Sequence, residues 1–150
     1  MDARTGFAGS HVSRVTRKPL DVAYVETGDN VPDIQAAWPR LEELVGALRG
    51  RHFYGSFDPV AGIYRACVVV SDSDDLPAEA QRTLTRGVLP GGDFLRLRLR
   101  GEPPQVYELI GPAFDHLTSL AAPDHSRPSL EHYRRRNEID ALLPVASATA

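Results

Sequence analysis

One order of elements is written twice in this chain, and that order limits the fold more than any single motif does. Leu20 to Thr27 alternates as a strand, with Val22, Tyr24 and Glu26 opposite Ala23 and Val25, and Gly28-Asp29-Asn30 turns the chain. Ile34, Ala37, Trp38, Leu41, Leu44, Val45 and Leu48 then recur at helical spacing, with Asp33 as the expected N-cap and Gly50 as the stop. Pro39 lies inside that pattern, so the helix either kinks there or becomes regular from there. Arg51 to Asp58 and Ile63 to Val70 read as two more strands around the Pro59 and Ala61-Gly62 turn, and Val68-Val69-Val70 suggests burial on both faces.

After a connector the order returns. Asp93 to Arg100 alternates strictly, with Leu95, Leu97 and Leu99 on one face and Arg96, Arg98 and Arg100 on the other. Gly101 turns the chain into a second amphipathic helix (Val106, Leu109, Ile110, Phe114, Leu117, Leu120), again with an internal proline, Pro112. Arg127 to Arg134 and Ile139 to Val145 are the closing strands, joined by the charged turn Arg135-Arg136-Asn137. A shift of 73 positions superposes Gly28 on Gly101, Pro39 on Pro112, Leu41 on Phe114 and Leu44 on Leu117. The expected architecture is α+β: two pseudo-symmetric strand-helix-strand-strand halves with antiparallel sheets around a central ligand cleft. The boundaries are an N-terminal arm at 1–19, halves at 20–70 and 93–146, and a connector at 71–92 that is acidic at its start (Asp72, Asp74, Asp75) and holds one helical turn near Ala78 to Arg82. Met1 to about Ser10, small and polar, is expected to be mobile, and Val12 to Arg17 to begin a strand.

Composition removes several classes of function. The net charge of −3 provides no basic field for nucleic acid. The single cysteine, Cys67, forms no internal disulfide and fits a reducing compartment as a buried core residue. No apolar run reaches membrane-spanning length and the start lacks a signal-peptide pattern, so a soluble cytoplasmic protein is expected. The five histidines have no metal-ligand spacing, no glycine run resembles a phosphate loop, and no serine sits in a nucleophile elbow, so neither metal nor cofactor is implied. The Arg96, Arg98 and Arg100 row reads as a solvated face or a set of pairs with acids.

Glu131 and Tyr133, two apart on a strand, share one wall, with Leu130 and His132 on the other. If that wall lines an apolar cleft, the carboxylate is its strong charge. The plainer alternative is a solvated edge-strand acid. The 73-residue shift sets Asp58 against Glu131, which turns Tyr54 and Ser56 toward the cleft, although a slip of one residue reverses that assignment. Trp38, Tyr24 and Tyr64 are either core or ligand wall.

The chain resembles the GyrI-like small-molecule-binding domain, also called the AraC-type or bacterial effector-binding domain. The matching stretches are Ala23-Tyr24-Val25-Glu26-Thr27-Gly28, Ala36-Ala37-Trp38-Pro39-Arg40-Leu41, Gly55-Ser56-Phe57-Asp58-Pro59 and Tyr64 to Val70. They continue with Leu89 to Phe94, Arg100-Gly101-Glu102-Pro103, and Leu130-Glu131-His132-Tyr133 ahead of Leu143-Pro144-Val145. The resemblance implies the two-half fold and a ligand that is lipophilic and often cationic. It matches the family's buried glutamate to Glu131. The nineteen residues before the first confident strand are too few for a helix-turn-helix, so a stand-alone member is expected. For such members three roles follow from the resemblance: drug or toxin sensing and sequestration, with Glu131, Tyr133, Tyr54, Trp38, Tyr24 and Tyr64 as ligand contacts; hydrolysis of cyclopropane-bearing electrophiles, with Glu131 and Tyr133 as catalytic pair; or a gyrase-inhibitor-like protein-interaction module. The expected partner is a small molecule, with neither nucleic acid nor membrane, and with no protein partner identified.

Overall fold

The computed structural model describes residues 11–71 and 76–147. The arm expected to be mobile (1–10), the acidic start of the connector (72–75) and the last three residues of the tail lie outside the described residues. Eight strands form one antiparallel sheet: β1 (Val12–Arg17), β2 (Leu20–Gly28), β3 (Phe53–Asp58), β4 (Ile63–Val69), β5 (Thr85–Leu89), β6 (Gly92–Arg100), β7 (Ser129–Arg135) and β8 (Glu138–Pro144). Their order is β1-β6-β8-β7-β3-β4-β2-β5. Each half contributes a contiguous block, and the blocks join where β3 pairs with β7. The two expected sheets are therefore one.

The helices are α1 (Val31–Val45), α2 (Ala78–Thr83) and α3 (Ile110–Leu120), with a 3-10 turn at Gln105–Leu109 leading into α3. The α1 stripe Ala37, Leu41, Leu44 and Val45 packs on Ala23, Ala66 and Val68. The α3 stripe Ala113, Phe114 and Leu117 packs on Leu97, Leu99, Ile139, Ala141 and Leu143. Both helices cover the same sheet face. The opposite face buries Val22, Tyr54, Cys67, Leu89, Phe94, Leu130 and Leu142, with no helix over it among the described residues. The sheet curls to do this. Only Lys18 and Pro19 separate β1, at one edge, from β2, next to the other edge, and a flat sheet of this width would hold those strands far apart. The Pro90-Gly91 link crosses at the same place, where a Cβ on Gly91 would stand 2.5 Å from the Arg17 carbonyl oxygen.

Several local expectations are corrected. Asn30, not Asp33, is the N-cap of α1: its side-chain oxygen accepts the Asp33 N–H at 3.0 Å. The helix ends at Val45, because Gly46 adopts φ 77° and its N–H closes on the Glu42 carbonyl, which leaves Leu48 and Gly50 beyond the helix. Pro39 is inside α1, whereas Pro112 falls in the first turn of α3, where no intrahelical bond is lost. The connector is more than a link: besides α2 it contributes β5, which extends the sheet beyond β2. Two residues of the arginine row take the expected acid pairs, Arg98 bidentate on buried Asp140 (2.8 and 3.1 Å) and Arg100 on Glu138 (3.0 Å). None of the described helices is long and apolar enough to cross a membrane.

Candidate functional site

The site forms where the halves meet. In the β3–β7 ladder Gly55 stands opposite Glu131, Phe53 opposite Tyr133 and Phe57 opposite Ser129. Directly opposed residues share a sheet face, so Phe53, Gly55 and Phe57 lie with Glu131 and Tyr133 beneath the helices. Glu131 keeps only 7% of its surface exposed. Its Oε1 accepts two phenol hydrogen bonds, from Tyr64 of β4 at 2.8 Å and from Tyr133 at 2.7 Å. Among the described residues Oε2 accepts none. The Trp38 indole N–H donates to the Tyr64 hydroxyl at 3.1 Å. Its ring meets those of Tyr133 (4.9 Å) and Phe53 (6.3 Å) edge-on. Tyr107 flanks Tyr133 at 6.4 Å.

Gly55 makes this packing feasible. A Cβ there would lie 2.3 Å from both Glu131 Oε1 and the Tyr64 hydroxyl. An isolated glycine within a strand signals close approach by another group, and that signal could have marked the position in the sequence.

The electrostatics are those of an acid without a counter-ion. Burial raises the Glu131 pKa from its ordinary 4.5, the Asp29 charge pushes the same way, and the Tyr133 and Tyr64 hydrogen bonds oppose both. Among the described residues no Lys or Arg forms an ion pair with Glu131. Burial, reinforced by the Glu131 charge, raises both tyrosines well above the usual phenol value, so they remain protonated donors. Asp29, at the β2–α1 turn, is itself raised by burial. Among the described residues no three His, Cys, Asp or Glu converge as a metal site would require.

Of the sequence-derived candidates, the structure brings together Glu131, Tyr133, Trp38 and Tyr64. It does not bring Tyr54 or Tyr24. Tyr54 opposes His132 and stacks on its ring at 4.3 Å on the far sheet face, where Arg17 donates to its hydroxyl at 3.2 Å. Tyr24 lies under the Arg65 guanidinium, also on the far face. Ser56 follows Tyr54. The physical reason is register: the offset between halves grows from 72 at their first strands (Leu20, Gly92) to 76 at their second (Phe53, Ser129), so a constant shift misassigns the faces of β3. Phe53, Phe57, Gly55 and Asp29 were not among the sequence candidates.

No family model and no curated protein sequence matches the chain. Solved structures do. The Vibrio cholerae integron cassette protein VCH_CASS2 superposes with a TM-score of 0.70 at 16% identity, over 90% of this chain and 95% of its own. SAV2435, solved bound to tetraphenylphosphonium, gives 0.63 at 12% identity, covering 91% and 94%. A hydrolase from Listeria innocua gives 0.55 at 9% identity, covering 91% and 92%. Together these likenesses show a shared α+β fold, the fold that the sequence resemblance to the GyrI-like domain implies.

Proposed function

We propose that this protein binds lipophilic aromatic cations at the seam between its halves, as a cytoplasmic sensing or sequestering protein, with Glu131 as counter-ion and Trp38, Tyr133 and Phe53 as apolar walls. The observation that carries the reading is the Glu131 carboxylate: buried, held only by neutral phenols and lacking an ion-pair partner among the described residues. Such a group is costly until a cation reaches it, and a cation with aromatic substituents also gains contact with the surrounding rings. Structural likeness to a protein solved with tetraphenylphosphonium supports the same reading.

Trp38 is the only tryptophan, so its emission reports on the site directly. Titration with tetraphenylphosphonium is expected to change that emission saturably, and Glu131→Gln is expected to weaken binding by about tenfold or more. Neutral triphenylphosphine oxide should not show this dependence. Equal affinity of wild type and Glu131→Gln for the cation would contradict the proposal.

A second reading has its own observation. Both phenols donate to Oε1, so Oε2 remains an acceptor with a raised pKa, which suits a general base. Glu131 would then take a proton from water as the water oxygen bonds to one cyclopropane carbon, while the electron pair of the broken ring C–C bond passes to the electron-withdrawing group conjugated with the ring, which takes up a proton. Mass-spectrometric detection of ring-opened product, absent with Glu131→Gln, would support this activity. Binding without turnover would leave the first reading alone.

A further inference from the structure

A separate hollow lies between α3 of the second half and the end of β3 at Phe57 and Pro59. It lies beneath α3, on the helix-covered face, with a volume of about 160 Å³. Its floor is Phe57, Phe114 and Leu143, and the first two rings meet edge-on at 5.0 Å. Ser129 also lines it. That residue is only 6% exposed, and its hydroxyl has no hydrogen-bond partner among the described residues. That hydroxyl is on the wall of the hollow and is open to a polar group that enters it. The volume is comparable to the roughly 150 Å³ apolar cavities that take up benzene.

The mouth is acidic. Asp115 and Asp124 border it. Hydrogen bonds from Ser126, followed by the contact with Arg127, hold the Asp124 carboxyl below its ordinary range, so it stays charged. Arg127 also lines the hollow and pairs with Asp124 through Nε (3.2 Å), while its other nitrogens donate to the carbonyls of Val145 (2.7 Å), Asp93 (3.0 Å) and Gly91 (3.3 Å), which leaves the Asp115 carboxylate as the acid at the mouth without a cation among the described residues. Its guanidinium also covers the Phe94 ring.

We infer that this hollow is a second ligand site, for a single aromatic ring carrying a protonated amine. The ring would rest on Phe57 and Phe114, Ser129 Oγ would accept from or donate to the ligand's polar atom, and the ammonium would face Asp115 and Asp124. The inference does not depend on the role of Glu131, which lies two residues along β7 from Ser129, about 7 Å away.

The test uses the full chain and 4-fluorobenzylammonium, followed by fluorine NMR. Saturable binding is expected. Thr118 is exposed on α3 at the hollow, so Thr118→Trp can close the mouth from the surface and should weaken binding by about tenfold or more. Ser129→Ala, which removes only the hydroxyl, should weaken it by about three- to tenfold. Tetraphenylphosphonium, too large for a hollow of this volume, should not displace the fluorinated probe from it. Absence of saturable binding would overturn the inference. So would binding that persists in both Thr118→Trp and Ser129→Ala, or binding that tetraphenylphosphonium displaces completely.

Discussion

The two halves follow one plan and differ where they meet. The Gly55–Glu131 pair sits at the join, and an offset of 76 carries Gly55 onto Glu131 and Phe57 onto Tyr133. The acid has a glycine as its counterpart. Above the pair, α1 brings Trp38 inward onto Tyr64, while its 73-residue counterpart in α3 is Gly111, where an added Cβ would meet nothing within 4 Å. The first half therefore closes over the acid with hydrogen-bonded aromatic groups. The second half supplies the acid but leaves its own helix side loosely filled, with the 160 Å³ hollow under α3. A duplicated scaffold offers two equivalent seats, and the side chains that break the symmetry leave one central site, because two carboxylates opposed on neighbouring strands would repel each other.

The strongest test of this asymmetry is to give Gly55 a side chain. Gly55→Ala should destabilise the protein by about 2–3 kcal/mol, because Glu131 Oε1 and the Tyr64 hydroxyl are fixed by mutual hydrogen bonds and cannot move away cheaply. Denaturant midpoints check this. Adding Glu131→Ala should recover part of the loss, and strict additivity of the two substitutions would show that the clash is elsewhere.

The comparison extends through the sheet. On its far face β7 carries His132, whose pKa falls to about 4, by burial first and then by the Arg17 charge. The folded pKa lies below the unfolded value of 6.5, so the unfolded chain binds more protons between them and stability is lost as pH falls from about 6.5 toward 4. His132 is partly exposed, and solvent screening reduces the effect to about 2 kcal/mol across that window. His132→Phe should keep the stack on Tyr54 and remove that part of the slope, as read from unfolding midpoints at pH 7 and pH 4.5.

Smaller effects come from the helices. Trp38→Phe keeps an aromatic ring against Tyr133 and Phe53 but removes the indole donor to Tyr64, and should cost about 1 kcal/mol. Gly111→Ala meets no group beyond its chain neighbours within 4 Å, but Pro112 crowds a Cβ on the helical residue before it, so the helix-propensity gain and that crowding should leave thermal unfolding within about 0.5 kcal/mol of wild type.

Much of this was legible in the sequence. The alternation of Leu95, Leu97 and Leu99 against the arginines, the two helical stripes and the common wall of Glu131 and Tyr133 are periodic signals, and periodicity survives folding because it is set by backbone geometry. What escaped depends on nonlocal register or on small local choices. Thr85 to Leu89 does not alternate and contains Gly87, so β5 is recognisable only by its pairing with β2. The competition between Asn30 and Asp33 for the cap is settled by which side chain reaches the third helical N–H. The faces of Tyr54 and Tyr24 follow from strand pairing, and the offset between halves is not constant. The hollow beneath α3 has no sequence signature, since it arises from volume that Phe57, Phe114 and Ser129 leave unfilled.

The central claim is that Glu131 is an acid buried without a counter-ion until a ligand supplies one. Because its folded pKa is raised, its contribution to stability is present below 4.5 and is lost as pH rises through the folded value. The direct measurement is the titration of the Glu131 side-chain carboxyl by carbon-13 NMR, with and without tetraphenylphosphonium. The account predicts a midpoint above 4.5 in the free protein that moves down when the cation binds. A midpoint at or below 4.5 that ignores the cation would contradict it.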